Sequence, residues 1–289
     1  MHERREWARY VKSAAALTGL VAALSVAASP TRAEPSGEEI LDRAFRQRYD
    51  VDMTADIELA MRDRAGREHR RKFAAASKQI DGRLHSVGKI DWPEYLRDMA
   101  ILTIEAEGRG HDAFVYMPSL GRVRRISSAQ KGDAFFGTDV TYEDLERRRA
   151  SDFRVEEVGG AEIAGEAAWR LRAVPASALS YARAEFFVAK ADFALLEMRY
   201  FRESEAEPYR VVTAEREHML VEGGHIVPTH FVVENRRRHT RTEATFRNVA
   251  VNPEIDDRLF SVSVLERNPN LRSRRSVAEA AEAAAAGAR

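Results

Sequence analysis

The sequence predicts an α+β fold in which antiparallel sheet dominates. Three observations carry this. From Val51 to Met61 the apolar residues Val51, Met53, Ala55, Ile57, Leu59 and Met61 alternate with Asp52, Thr54, Asp56 and Glu58. A period of two over that length means a strand with one buried and one wet face. Further along, apolar and β-branched runs recur roughly every 8–12 residues between turn signals, with no βαβ rhythm, as in an antiparallel barrel or sandwich. Finally, Ser36-Gly37-Glu38-Glu39 is a capping box, followed by Ile40, Leu41, Ala44 and Phe45 on one stripe. That pattern predicts a helix over Gly37–Tyr49 lying on the sheet.

The remaining elements follow in order. Asp63-Arg64-Ala65-Gly66 turns the first strand into a second over 67–76, and a third is expected over 84–90. Pro93 suits the first turn of a helix, and Trp92, Leu96 and Met99 share its apolar face, so 92–99 reads as a lid or as a cap on the sheet edge. A strand over 100–107, a turn at 108–110 and a strand from Phe114 to Met117 come next. Pro118 ends that strand because it has no N–H to donate. Residues 123–126 return as a strand, and a polar loop then runs through Phe135, Phe136 and Gly137-Thr138-Asp139 to a short helix at Tyr142-Glu143-Asp144-Leu145. Long loops inside compact domains are often functional. In the second half, Gly159-Gly160 reads as a hairpin turn. Strands are expected over 167–174, 184–189, 194–202, 209–216, 219–221, 226–235 and 240–249, with Pro228 marking an edge or a bulge. A short helix at 256–260 closes the series.

The two ends differ from this core. Arg4, Arg5, Arg9 and Lys12 precede an apolar run over 14–28 and the small-residue site Thr31-Arg32-Ala33, the order of a secretory leader cleaved after Ala33. The run falls short of the roughly 20 residues of a spanning helix. Residues 1–33 are therefore expected to be removed, 34–266 to form the folded domain, and 267–289 to be a flexible Arg/Ala-rich tail. With no cysteine, there is no disulfide framework and no cysteine for lipid attachment, so stability must come from packing. The chain carries 46 basic and 46 acidic residues; each end holds five basic and two acidic ones, which leaves 36 against 42 in 34–266. A mildly acidic core argues against nucleic acid as a partner.

The string Tyr116-x-Pro118-x-x-Gly121-Arg122-x-Arg124-Arg125-Ile126, then Phe136-Gly137-Thr138-Asp139, then Tyr142-Glu143-Asp144-Leu145, resembles the periplasmic outer membrane lipoprotein-sorting protein family of the LolA/LolB/RseB-like superfamily. The resemblance runs from about Glu38 to Leu265. It implies a strongly curved antiparallel sheet forming an incomplete, half β-barrel, lined with apolar side chains, with helices covering the concave face. It also implies carriage of lipids or lipid-modified proteins. Many members are encoded beside inner-membrane efflux-type transporters.

No catalytic constellation is visible. There is no G-x-S-x-G and no cysteine nucleophile. Asp139 reads as the cap of the short helix, and Glu143 and Asp144 as charges that favour its N-terminus, rather than as catalytic acids. No cofactor and no metal site are expected: no H-E-x-x-H spacing occurs, and strand positions do not direct His218, His225 and His230 to one point. Arg147-Arg148-Arg149 and Arg236-Arg237-Arg238 read as solvated faces. Arg124, in the cluster Arg122, Arg124 and Arg125, is the arginine proposed to face the ligand; pairing of the cluster with the acids of 139–144 is the alternative.

The expected ligand face is apolar: Met53, Ile57, Leu59, Phe114, Tyr116, Leu196, Met198, Tyr200 and Phe246 as lining, with Trp92, Leu96, Phe135 and Phe136 as lid. Plain core packing is the competing reading for each. The functional expectation is a monomeric, non-enzymatic periplasmic carrier of lipid or lipoprotein acyl chains. It would shuttle between an inner-membrane efflux-type transporter and an outer-membrane acceptor. The alternative is an RseB-like sensor or adaptor of a membrane protein.

Overall fold

A computed structural model describes residues 34–106, 110–203 and 205–266. The expected leader (1–33), the tail (267–289) and Gly108-Arg109 of one expected turn lie outside the described residues. The capping box forms: the Ser36 N–H donates to the Glu39 carboxylate at 2.7 Å and the Glu39 N–H donates to the Ser36 hydroxyl at 3.2 Å. It starts α1 (Gly37–Tyr49), whose Ile40, Leu41, Ala44 and Phe45 are buried.

The strands β1 (Met53–Arg62), β2 (Glu68–Ile80), β3 (Arg83–Trp92), β4 (Ala100–Glu105), β5 (His111–Met117) and β6 (Arg122–Arg125) form an unbroken meander. After a strandless stretch come β7 (Phe153–Ile163), β8 (Glu166–Pro175), β9 (Arg183–Ala189), β10 (Leu195–Phe201) and β11 (Arg210–Thr213). They are followed by β12 (Met219–Glu222), β13 (His225–Pro228), β14 (His230–Asn235), β15 (Thr240–Val251) and a short α2 (Val262–Leu265). Thirteen strands make one open antiparallel sheet in the order β6-β5-β4-β3-β2-β1-β15-β14-β11-β10-β9-β8-β7, and β12 and β13 form a separate ribbon.

The alternation expected in β1 holds. Ala55, Ile57 and Leu59 join the main core, and Ile57 sits between Phe73 of β2 and Phe246 of β15. The opposite face carries a smaller core of Ala74, Ala76, Val87 and Leu102, covered by Ile255, Phe260 and Leu265 from the C-terminal turns.

β6 and β7 are consecutive in sequence yet form the two opposite edges of the sheet. Residues 126–152 therefore pass from one edge to the other. Phe135, Val140 and Ala150 of this crossing segment are buried in the same core as Phe45 of α1. α1 and this strand-poor stretch, built from single 3-10 turns, thus share one core with the main face of the sheet.

Two local expectations are corrected. Gly159 and Gly160 are not a turn: they lie inside β7, paired with Arg170 and Trp169. The reversal falls at Ala164-Gly165, both at positive φ, 51° and 82°, where glycine meets no steric penalty. Residues 92–99 form no lid helix; Trp92 ends β3 and one 3-10 turn, Glu94–Leu96, buries no residue. The short helix expected at Tyr142–Leu145 forms over those four residues, as a 3-10 helix. Pro228 ends β13 in the two-stranded ribbon, where its missing N–H disrupts no central ladder.

Candidate functional site

The inward positions of β2 and β3 are unusually small. Ala75 lies opposite Gly88 and Ser77 opposite Ser86, whereas Phe73 lies opposite Ile90 one step along. Small side chains cannot fill the space beneath the crossing segment, and a cavity of about 250 Å³ remains there. That is slightly below the roughly 300–1,000 Å³ of drug-sized ligand pockets. The sheet contributes Met53, Ile57, Phe73, Ile101, Met198, Tyr200, Val212, Phe231, Val233 and Phe246. Tyr49 and Arg48 at the end of α1, Phe135 and Val140 of the crossing segment, and Val227 and Pro228 of the ribbon close it. Phe135 is held edge-on to Phe73 with centroids 5.8 Å apart.

The crossing segment is irregular, so its backbone polar groups need partners. Part of the need is met locally. The Thr141 hydroxyl and N–H both donate to Asp144, each at 2.8 Å, and Ser127 and Gln130 form a second capping box. The rest is met by polar contacts to the sheet. Asp139 accepts hydrogen bonds from the Thr240 and Thr242 hydroxyls of β15, the second at 2.9 Å. Asp144 takes both arms of Arg210 of β11, at 2.6 and 2.7 Å. The Arg210 guanidinium also stacks 4.5 Å from the Tyr200 ring centroid and is almost fully buried. Burial would raise the Asp144 carboxyl, but the Arg210 charge outweighs it and holds the group below its usual range.

A third contact joins the segment to β4 and β5. Glu105 bridges Arg149 at 2.6 Å and Arg147 at 3.2 Å, and Arg147 also meets Asp50 at 2.5 Å. Burial opposes ionisation of Glu105, yet hydrogen bonds from Arg149 and the Leu84 N–H, with the Arg147 and Arg149 charges, lower it to about 2. The Arg147 N–H donates to His111 Nε2 at 3.2 Å, so that imidazole is neutral and carries its proton on Nδ1. Burial lowers His111 to about 3; Glu105 opposes the shift, and Arg148, Lys131 and Arg147 reinforce it. Glu146 is raised by burial despite its 2.5 Å pair with Lys131. One end of the apolar cavity therefore abuts charges that pair with each other.

Of the sequence-selected residues, Met53, Ile57, Phe135, Met198, Tyr200 and Phe246 line the cavity. Leu59 is buried in the same core but outside the lining, and Leu96 and Phe136 pack at its margin. The others lie elsewhere, for identifiable reasons. Phe114 and Tyr116 share a face, but it is the opposite one; Val115 is the inward residue of β5. Leu196 is turned away by a bulge between Leu195 and Glu197 and packs with Ala168, Ala189 and Ile226. Trp92 is half exposed at the end of β3. Arg124 is exposed on the edge strand β6, and Arg125 pairs with Asp112 rather than with the acids of 139–144. Arg147, expected on a solvated face, is buried in the network, Arg148 is part-buried beside Glu146, and Asp139 anchors to β15 instead of capping a helix. Sequence reasoning missed Ala75, Ser77, Ser86 and Gly88. Their signal was small residues at positions sharing the parity of Phe73 and Ile90.

The histidine expectation is also corrected. His225 stays apart, but His218 and His230 converge, with ring centroids 5.1 Å apart and Glu215 beside both.

Solved structures share this fold. A Vibrio parahaemolyticus domain named for outer membrane lipoprotein sorting superposes with a TM-score of 0.73 at 20% identity, covering 80% of this chain and 98% of that one. A DUF1329 family protein from Desulfovibrio piger ATCC 29098 gives 0.73 at 21%, covering 79% and 97%. The LolA superfamily protein NE2245 from Nitrosomonas europaea gives 0.62 at 18%, covering 78% and 98%. A search of curated proteins finds no match. Residues 82–267, more than half of the chain, match a family model described as "Uncharacterized protein". The chain belongs to that family, and its fold is the one seen in these lipoprotein-sorting, DUF1329 and LolA superfamily structures.

Proposed function

We propose that this protein is a non-enzymatic carrier that takes an apolar chain, of a lipid or a lipid-modified protein, into the cavity beneath the crossing segment. The observation that carries the reading is the combination of apolar lining and missing volume: large residues ring a space that Ala75, Ser77, Ser86 and Gly88 leave unfilled. Each Å² of apolar ligand surface withdrawn from water there is worth roughly 25 cal/mol, with no reacting group required. In this reading the sheet is the half-barrel of the superfamily, and α1 with the crossing segment covers its concave face. The leader is removed after Ala33, and the protein works as a periplasmic monomer between an inner-membrane efflux-type transporter and an outer-membrane acceptor.

Opening the cover would release polar contacts, Asp139 from β15 and Asp144 from Arg210, along with Phe135 from Phe73. Arg48, at the cavity wall with its guanidinium 5.8 Å from the Phe231 ring centroid, is placed to meet an anionic headgroup. The test is native mass spectrometry of protein purified without detergent from a periplasmic extract. A bound species of lipid or lipopeptide mass is expected. An apo mass that persists after incubation with membrane lipid extract overturns the carrier and favours the adaptor.

A cavity-filling variant sharpens the test. A Cβ at Gly88 would lie 3.5 Å from Ile101 Cγ2 and 3.7 Å from Phe73 Cδ2, ordinary contacts. Gly88→Leu should therefore fold and occupy part of the cavity. Loss of the bound species with retained thermal stability is expected. An unchanged ligand load in the folded variant would place the ligand elsewhere.

A further inference from the structure

We propose that Glu215, His218 and His230 form a binding site for a divalent transition metal of the zinc class. Their donor atoms, Glu215 Oε2, His218 Nε2 and His230 Nδ1, lie within 4.8 Å of one another. The carboxylate oxygen is 3.7 Å from His218 Nε2 and 3.8 Å from His230 Nδ1. Both separations are too long for hydrogen bonds. His230 Nδ1 is moreover a buried nitrogen without a hydrogen-bond partner. Three metal-ligating atoms therefore face one point and do not satisfy each other. Zinc bonds of about 2.0–2.2 Å place tetrahedral donors roughly 3.3–3.5 Å apart. Small rotations of Glu215 and His218, both exposed, supply that contraction. Two imidazoles and one carboxylate with a fourth position open to water suit zinc, copper or nickel rather than calcium or magnesium.

The backbone holds these residues independently of any metal. Glu215 precedes the 3-10 turn Arg216–His218, and the His218 N–H returns to the Glu215 carbonyl at 3.1 Å. The His218 carbonyl accepts from the Thr229 N–H at 2.7 Å and from its hydroxyl at 2.8 Å. Arg216 points the other way, pairing with Glu166 and Asp192. Glu215 and His218 come just before the β12–β13 ribbon and His230 just after it. A bound metal would clip the base of the ribbon that supplies Val227 and Pro228 to the cavity wall. The site does not depend on what the cavity carries.

The test uses the full chain without a histidine tag, stripped with a chelator. Zn(II) is titrated against a chromophoric chelator, and Co(II) reports geometry by its visible absorption. One equivalent with a tetrahedral Co(II) spectrum is expected. His218→Ala and His230→Ala should each weaken binding by more than the ~10–100-fold that loss of an outer-shell partner costs. His225→Ala, on the same ribbon but outside the trio, should leave binding unchanged. Hydrogen exchange across Met219–Pro228 should slow on Zn(II) addition in the wild type. Absence of stoichiometric uptake by the wild type overturns the site. So does uptake that survives in the folded His218→Ala/His230→Ala double variant, which would assign the metal to other histidines. An unchanged exchange rate on saturation overturns the clip.

Discussion

Arg210 is the largest fully buried side chain in the described structure, and Asp144 is its counter-ion. A charge withdrawn so far from water is tolerated only while its partner and hydrogen bonds stay in place. Asp144→Ala should therefore cost about 3–5 kcal/mol, read from the urea midpoint. Exchanging both residues for apolar ones, as in Asp144→Leu with Arg210→Met, should cost much less than the two single changes added together. Additive single and double effects would show that the pair is uncoupled. His111 makes a different prediction. Its imidazole is held neutral by burial, with Glu146, Lys131, Arg147, Arg148 and Glu105 around it. The unfolded chain takes up a proton near 6.5, and the folded chain only near 3. The stability linked to this group is thus complete above about 6.5 and is lost as pH falls toward 3, by at most about 1.4 kcal/mol per pH unit. His111→Gln keeps an acceptor for the Arg147 N–H and removes the titration. Its stability should fall less steeply than the wild type's between pH 7 and 5; equal slopes would exclude His111 as the source.

At the scale of elements, the contact of α1 with the edge strand β7 depends on one absent side chain. A Cβ on Gly37 would lie 2.7 Å from Val155 Cγ1 and 2.8 Å from Val158 Cγ2. Valine is stiff at χ1 and yields poorly. Gly37→Ala should push the helix start off β7 and cost about 1–3 kcal/mol in thermal or urea denaturation, despite alanine's better helix propensity. An unchanged midpoint would show that β7 yields freely. The same scale explains what the sequence made legible. The helix and β1 carry strong periodic signals, and both form where those signals placed them. The crossing segment has no period, and its destination depends on pairings between residues far apart in the chain. Arg147 looked solvated because its partners, Asp50 and Glu105, meet it only in three dimensions. Within the cavity, Met198 and Tyr200 were readable from alternation. Leu196 was not, because one bulged residue reverses the parity. The small residues opposite one another on β2 and β3 escaped notice because a cavity is made by what side chains leave out.

For the whole molecule, the sheet comprises two meanders, β1–β6 and β7–β11, each built largely from neighbours in sequence. They meet through β14 and β15 alone, with Met53 of β1 paired to Val251 of β15. The central seam is therefore closed by β15, the last strand among the described residues. During synthesis, an amino-terminus-first chain presents β1 long before its partner β15 arrives. Contacts of such sequence separation form slowly because they must first overcome loop-closure entropy. In the interval β1 is an unpaired edge with an apolar face, open to association with other chains. A chain halted before Thr240 would leave both halves in that state, so the arrival of β15 closes both exposed edges at once.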